Sequence, residues 1–146
     1  MYCDSNGIGE DGAEAIAECM EMMDSLKKIC FENNNIKDRG VIALARALEE
    51  NDTLLSLYLE NNNITSIGAK EIGQVLSNKY KLSKINLNNN PLKDGGLECI
   101  ASGLFDNDTL RVPLCPDGYS FSHRWTQVAV SGNAAVTLER LLFDGC

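Results

Sequence analysis

Six cysteines (Cys3, Cys19, Cys30, Cys99, Cys115 and Cys146) and a single histidine, His123, are among the residues of this 146-residue chain with the means to supply a nucleophile or hold a metal. Their spacing supports neither use. No Cys-x-x-Cys pair and no His/Cys cluster at zinc spacing occurs, and His123 follows Cys115 by eight residues with no motif around either. There is no Gly-x-x-x-x-Gly-Lys phosphate loop and no calcium loop, and Asp94-Gly95-Gly96 reads as a helix start rather than an anion cradle. The expectation is a chain that is not an enzyme and needs no cofactor. A second group of side chains is suited to recognition: the carboxylates Glu32 and Glu60, the aromatic ring of Tyr58 and the amines Lys28 and Lys84 recur at related positions. Charge and an aromatic anchor in one patch are the means of protein recognition.

What positions them is a period of 28 residues. Counting from Leu26, Leu54 and Leu82, the offsets +3, +5, +8, +10 and +14 carry Ile29, Phe31, Asn34, Ile36 and Gly40. In the next two units they carry Leu57, Leu59, Asn62, Ile64 and Gly68, then Ile85, Leu87, Asn90, Leu92 and Gly96. The same offsets projected backwards fall on Met1, Cys3, Asn6, Ile8 and Gly12, and Leu110 opens a fourth unit that fails at Pro113 and Gly118. Such self-similarity marks a repeat architecture in which each unit buries its apolar face against its neighbours.

Within a unit, Leu54, Leu57 and Leu59 alternate with Ser56 and Tyr58, the period of a strand of about five residues with one buried face. Asp38, Ser66 and Asp94 at offset +12 are expected to cap the helices that follow them. The inward faces of those helices are read as Val41, Leu44, Ala45 and Leu48, then Ala69, Ile72 and Leu76, then Leu97, Ile100, Ala101 and Leu104, at helical spacing.

The column Asn6, Asn34, Asn62 and Asn90 stands where each strand turns, and an amide side chain can satisfy backbone donors and acceptors left free there. Its expected role is structural. Offset +4 presents Tyr2, Cys30, Tyr58 and Asn86 on the face of the sheet away from the core, and offset +6 presents Asp4, Glu32, Glu60 and Asn88. Lys28 and Lys84 flank them at +2. Neighbouring strands run about 4.8 Å apart, so Glu32 and Glu60 are expected side by side, repelling unless a cation answers them. The expected contact set is Tyr2, Asp4, Lys28, Glu32, Tyr58, Glu60, Lys84, Asn86 and Asn88, with a merely soluble surface as the alternative.

The pattern Leu-x-x-Leu-x-Leu-x-x-Asn-x-Ile, followed by Gly and a helical half such as Gly40 to Leu48, resembles the leucine-rich repeat. Its length and Ala/Leu-rich second half are similar to the ribonuclease-inhibitor type. The resemblance covers residues 1–111, one partial and three full repeats, and implies an α/β fold. That fold is a right-handed solenoid with short parallel strands on the concave face and helices on the convex face. It implies no single activity, since related arrays serve as ribonuclease inhibitors, sensor ends of nucleotide-binding immune receptors, Ran GTPase activators and actin-filament cappers. Binding of a protein partner on the concave face, as a scaffold or the recognition end of a larger receptor, is the expected function. A GTPase-activating fragment and a purely structural fragment are the alternatives.

The net charge of −8 is uneven: residues 1–60 hold 13 acidic and 5 basic side chains, and residues 61–146 hold 8 of each. Without a basic stripe nucleic acid is not the expected partner, and a protein with a basic patch is. The acidic stretch from Glu10 to Asp24 also reads as the solvated outer face of the first helix. Scattered cysteines taken as reduced, together with no signal peptide and no apolar run of membrane-spanning length, point to the cytoplasm and away from a membrane. The sequons at Asn51, Asn63 and Asn107 point weakly the other way; two share a repeat offset, which explains them without glycans. Residues 112–146 diverge and are expected to form either a C-terminal cap, with a strand at 128–130 and a helix at 134–143, or a tail. An opening in mid-strand leaves an edge for end-to-end self-association or for more chain.

Overall fold

The computed structural model describes residues 1–20, 22–78, 82–105 and 128–129. Elements alternate along the chain: α1 (Gly9–Met20), β1 (Lys28–Cys30), α2 (Lys37–Glu50), β2 (Ser56–Tyr58), α3 (Ser66–Ser77), β3 (Lys84–Asn86), α4 (Lys93–Phe105) and β4 (Val128–Ala129). The four strands form one parallel sheet in sequence order. Its register follows the 28-residue step, pairing Ile29 with Leu57 and Leu57 with Ile85. The result is an α/β repeat fold. Apart from the strand at 128–129, the expected cap or tail, its helix and residues Cys115, His123 and Cys146 lie outside the described residues.

One face of the sheet is closed by the helices. Ile29, Leu57 and Ile85 are buried together with Leu44, Leu48, Ile72, Leu76, Leu97 and Ile100 of the helices. Each fully buried Leu or Ile contributes about 1.5–3 kcal/mol, so this shared layer is the main cohesion between units. β1, β2 and β3 are three residues each, shorter than the five expected. Hydrogen bonds nevertheless continue the ladder beyond them, from Phe31 N to the Tyr58 carbonyl and from Asn33 N to the Glu60 carbonyl.

The turn is built by asparagines. Ser5, Asn33, Asn61 and Asn89 at offset +7 take positive φ, as do Gly7, Asn35 and Asn63 at offset +9, and Asn tolerates that left-handed conformation better than most residues. Between them stands the asparagine column. Asn62 Oδ1 accepts from Asn34 N and Ile36 N at 3.0 and 3.3 Å, and its Nδ2 donates to the carbonyls of Phe31 and Glu60 at 2.8 and 3.0 Å. Asn34 repeats this one unit earlier, to Asn6 N, Ile8 N and the carbonyls of Cys3 and Glu32. Asn90 does so one unit later, to Asn62 N, Ile64 N and the Leu59 carbonyl. The side-chain oxygens of Asn34, Asn62 and Asn90 each reach back to the preceding unit.

Helix capping differs from the expectation. Asp38 lies inside α2, whose own N-cap, Ile36, makes no side-chain cap bond. The Asp38 carboxylate instead accepts from Thr65 N, Thr65 Oγ1 and Gly68 N at the start of α3. The reason is local. Gly9, Lys37 and Lys93 at offset +11 adopt positive φ, whereas β-branched Thr65 takes an extended φ of −102° and becomes the cap of α3, its hydroxyl accepting from Ile67 N. Asn51, the buried residue of one sequon, is likewise structural: it donates to the Met20 carbonyl and accepts from Thr53 N and Leu54 N.

Candidate functional site: the open face of the sheet

Alternation along a strand sends the neighbours of Ile29, Leu57 and Ile85 to the sheet face opposite the helices. The register places Tyr2 beside Cys30, Cys30 beside Tyr58, and Tyr58 beside Asn86. Lys28, at the start of β1, extends its ammonium over two rings, 4.4 Å from the centre of Tyr58 and 5.0 Å from that of Tyr2. Each such contact is worth about 0.5–1 kcal/mol at an exposed site. The amine is thereby fixed between two aromatic faces. Tyr2 is 73% exposed, and Tyr58 is partly covered.

Beneath the amine lies Cys30, which is buried. Burial raises its thiol pKa, and Asp4 and Glu32 raise it further against the opposing pull of Lys28. A raised pKa makes the thiol less readily ionised and so less nucleophilic. Cys3, Cys19, Cys30 and Cys99 are all free thiols. Among the described residues no group of acidic, cysteine or histidine side chains is placed to hold a metal.

One step further along each strand come the carboxylates. Glu32 N donates to Asp4 Oδ1 at 2.9 Å. The carboxyl of Glu32 has its pKa raised, first by burial and then by the charges of Asp4 and Glu60, with Lys28 opposing. Glu60 is held from the other side, by Asn86 Nδ2 at 3.1 Å and Asn89 Nδ2 at 3.0 Å. Lys84 stands at the far end of the row that begins at Lys28, with Ser56 between them.

Asn88 departs from the expected display. It is 8% exposed, and its Oδ1 meets no hydrogen-bond donor among the described residues. Its backbone N–H donates to Asn86 Oδ1 at 3.0 Å. It is a buried residue rather than a presented one. The remaining eight residues of the expected set are at least partly exposed.

Part of the acidic excess is answered on the helix side. Lys37 pairs with Glu10 at 3.8 Å, and Arg39 pairs with Glu14 at 3.2 Å and with Asp11. Glu14 and Asp11 hold the guanidinium pKa up. The first helix is therefore linked to the start of the second by surface ion pairs, with Asp11 still exposed to solvent. Asn33 and Asn35 were not singled out in the sequence, yet they form exposed ladders with Asn61 and Asn63 at 2.6 and 2.7 Å. The signal was present in the Asn-Asn-Asn runs, which flank the buried column on both sides.

The Leucine Rich repeat family model matches this chain three times, over residues 25–45, 50–73 and 81–101. The family model thus finds leucine-rich repeats in three places along the chain. The matched stretches coincide with the strand, turn and helix of three successive units. A search of curated proteins returned no match. Among solved structures, this chain is similar to one titled "Leiomodin-1 Actin-Binding Site 2 (ABS2)", with a TM-score of 0.74 and 20% identity. That likeness covers 97% of this chain and 77% of the other, and at this identity it concerns the fold. No helix among the described residues is long and apolar enough to cross a membrane.

Proposed function

We propose that this chain is a protein-interaction module whose repeats wind as a right-handed solenoid of the ribonuclease-inhibitor type. In this reading the open sheet face is concave and receives a protein partner. The observation that carries it is the Lys28 ammonium clamped between Tyr2 and Tyr58 beside the carboxylates of Asp4, Glu32 and Glu60. Ordered aromatic and charged groups lose little freedom on binding, which favours them as anchors. A partner bearing a basic patch relieves the mutual repulsion of Asp4, Glu32 and Glu60, which makes a basic protein surface the preferred class over nucleic acid. The structural likeness to a fragment named as an actin-binding site supports a protein partner without naming one. Free cysteines support a reducing, cytoplasmic setting, in which the module serves as a scaffold or as the recognition end of a receptor.

The test is a comparison of partner capture by the native chain and by a Tyr58→Ala/Glu60→Ala variant, with circular dichroism and thermal midpoint as controls for folding. The proposal expects capture of a specific partner to be lost while the fold persists. Equal capture by the two proteins rejects this face.

A further inference from the structure

Of the three carboxylates on the open sheet face, Glu60 is the one held by side-chain donors. Asn89 Nδ2 donates to its Oε1 at 3.0 Å and Asn86 Nδ2 to its Oε2 at 3.1 Å. Each carboxylate oxygen has about two lone-pair positions, so one amide on each leaves one acceptor position open on each, in an orientation set from the next unit. Both donors are neutral, so they orient the charge without cancelling it. Among the described residues the ion pairs fall at Glu10, Asp11 and Glu14 on the helix side, and none at Glu60. Lys28 is committed to the rings of Tyr2 and Tyr58.

A second acceptor stands beside this carboxylate. Asn88 occupies the offset of Glu60 one unit on; its carbonyl accepts from Asn61 N at 3.0 Å, and its own N–H donates to Asn86 Oδ1, on the side chain that holds Glu60. Asn88 is 8% exposed, and its Oδ1 meets no donor among the described residues. A buried acceptor left unpaired is costly, so a donor arriving here gains more than one offered to a solvated oxygen.

We infer that Glu60 is the receiving group for an arginine side chain of the partner, whose guanidinium donates to both carboxylate oxygens and, as the Asn88 side chain turns outward to meet it, to Asn88 Oδ1. The planar fork of a guanidinium matches the two oxygens together, and carboxylate oxygens already fixed by Asn86 and Asn89 lose little freedom in receiving it. A lysine ammonium is a point charge that gains nothing from that orientation. A divalent cation is served worse still, because Asn86 and Asn89 turn amide nitrogens, not oxygens, toward the carboxylate. The inference rests on the sheet face being the recognition surface and names the side chain it selects; Asn86 and Asn89 are its positioning residues.

The test is an NMR titration of the full chain with a short acetylated and amidated peptide of alternating glycine and arginine, and in parallel with its lysine counterpart. The side-chain amide signals of Asn86 and Asn89 are followed. The arginine peptide is expected to shift both signals and to bind at least about fivefold more tightly than the lysine peptide. Asn89→Gly removes one positioning donor while accommodating the positive φ of that residue, and is expected to cut the preference to less than about twofold with the backbone spectrum preserved. Glu60→Gln, which keeps the shape of the side chain, should abolish the preference. Equal affinity for the two peptides, no shift at Asn86 or Asn89 with either, or a preference unchanged in both variants overturns the inference. Equal affinities with shifts at Tyr58 overturn the arginine assignment and leave the sheet face standing, whereas shifts confined to Glu49 and Glu50 at the end of α2 overturn both.

Discussion

Asp38 caps the helix that begins after Thr65, not its own: its carboxylate accepts from the Thr65 amide and the Thr65 hydroxyl, each at 2.7 Å, although the two residues lie 27 positions apart. Helix capping here acts between units, so it couples their stabilities as well as ordering one turn. Asp38→Ala removes this acceptor and that of Gly68 N and is expected to cost about 1–2 kcal/mol. Denaturant unfolding reads the loss. Native-state hydrogen exchange should show it concentrated in the first turn of α3, with α2 little affected.

The asparagine column gives a graded prediction. Asn62 is fully buried and serves two amides and two carbonyls, so Asn62→Ala is expected to cost about 3 kcal/mol or more, because each buried group left unpaired costs about 1–3 kcal/mol. Asn6→Ala, at the exposed end of the same column, is expected to cost a few tenths of that. Chemical denaturation of the two variants in parallel provides the comparison.

α3 and α4 approach to backbone contact at Gly73 and Gly103. A Cβ on Gly103 would stand 2.8 Å from the carbonyl carbon of Gly73 and 3.0 Å from its Cα, atoms that cannot move aside like a flexible side chain. Gly103→Ala is therefore expected to destabilise by about 1–3 kcal/mol. Gly95→Ala, in the first turn of the same helix with open space around it, is expected to stabilise by about 0.4–1 kcal/mol. Thermal midpoints moving in opposite directions would verify the contrast.

Glu32 sets a pH dependence of unusual sign. Its folded pKa is raised above the ordinary 4.5 by burial and by Asp4 and Glu60. The folded state therefore binds the proton more tightly than the unfolded chain, and this group's contribution to stability falls as pH rises through that window. Glu32→Gln is expected to raise the thermal midpoint at pH 7, with the gain disappearing below the ordinary carboxyl range. A midpoint that drops at pH 7 would mean that Lys28 outweighs the two acids.

The leucine register was readable because it recurs every 28 residues, and the buried residues at offsets +3 and +5 lie where that period puts them. The asparagine column was readable for the same reason. What escaped was non-periodic or acted across units. Asp38 looks like a cap for its own helix in any window shorter than a repeat, and only the extended φ at Thr65, where Lys37 and Lys93 have positive values, redirects it. Gly73 and Gly103 occupy different offsets in their units, so no column announces them. Burial of Asn88 also had no counterpart in its column, because Glu32 and Glu60 at the same offset are partly exposed.

The most direct measurement is photo-crosslinking with benzoylphenylalanine placed at Tyr58 on the sheet face, and separately at Arg46 on the exposed side of α2, followed by mass spectrometry of the adducts. If a partner docks on the sheet face, position 58 should yield crosslinked peptides rich in Lys and Arg from one protein, and position 46 should yield none from it. Crosslinks to that partner from position 46 with none from position 58 would place recognition on the helices and contradict the account.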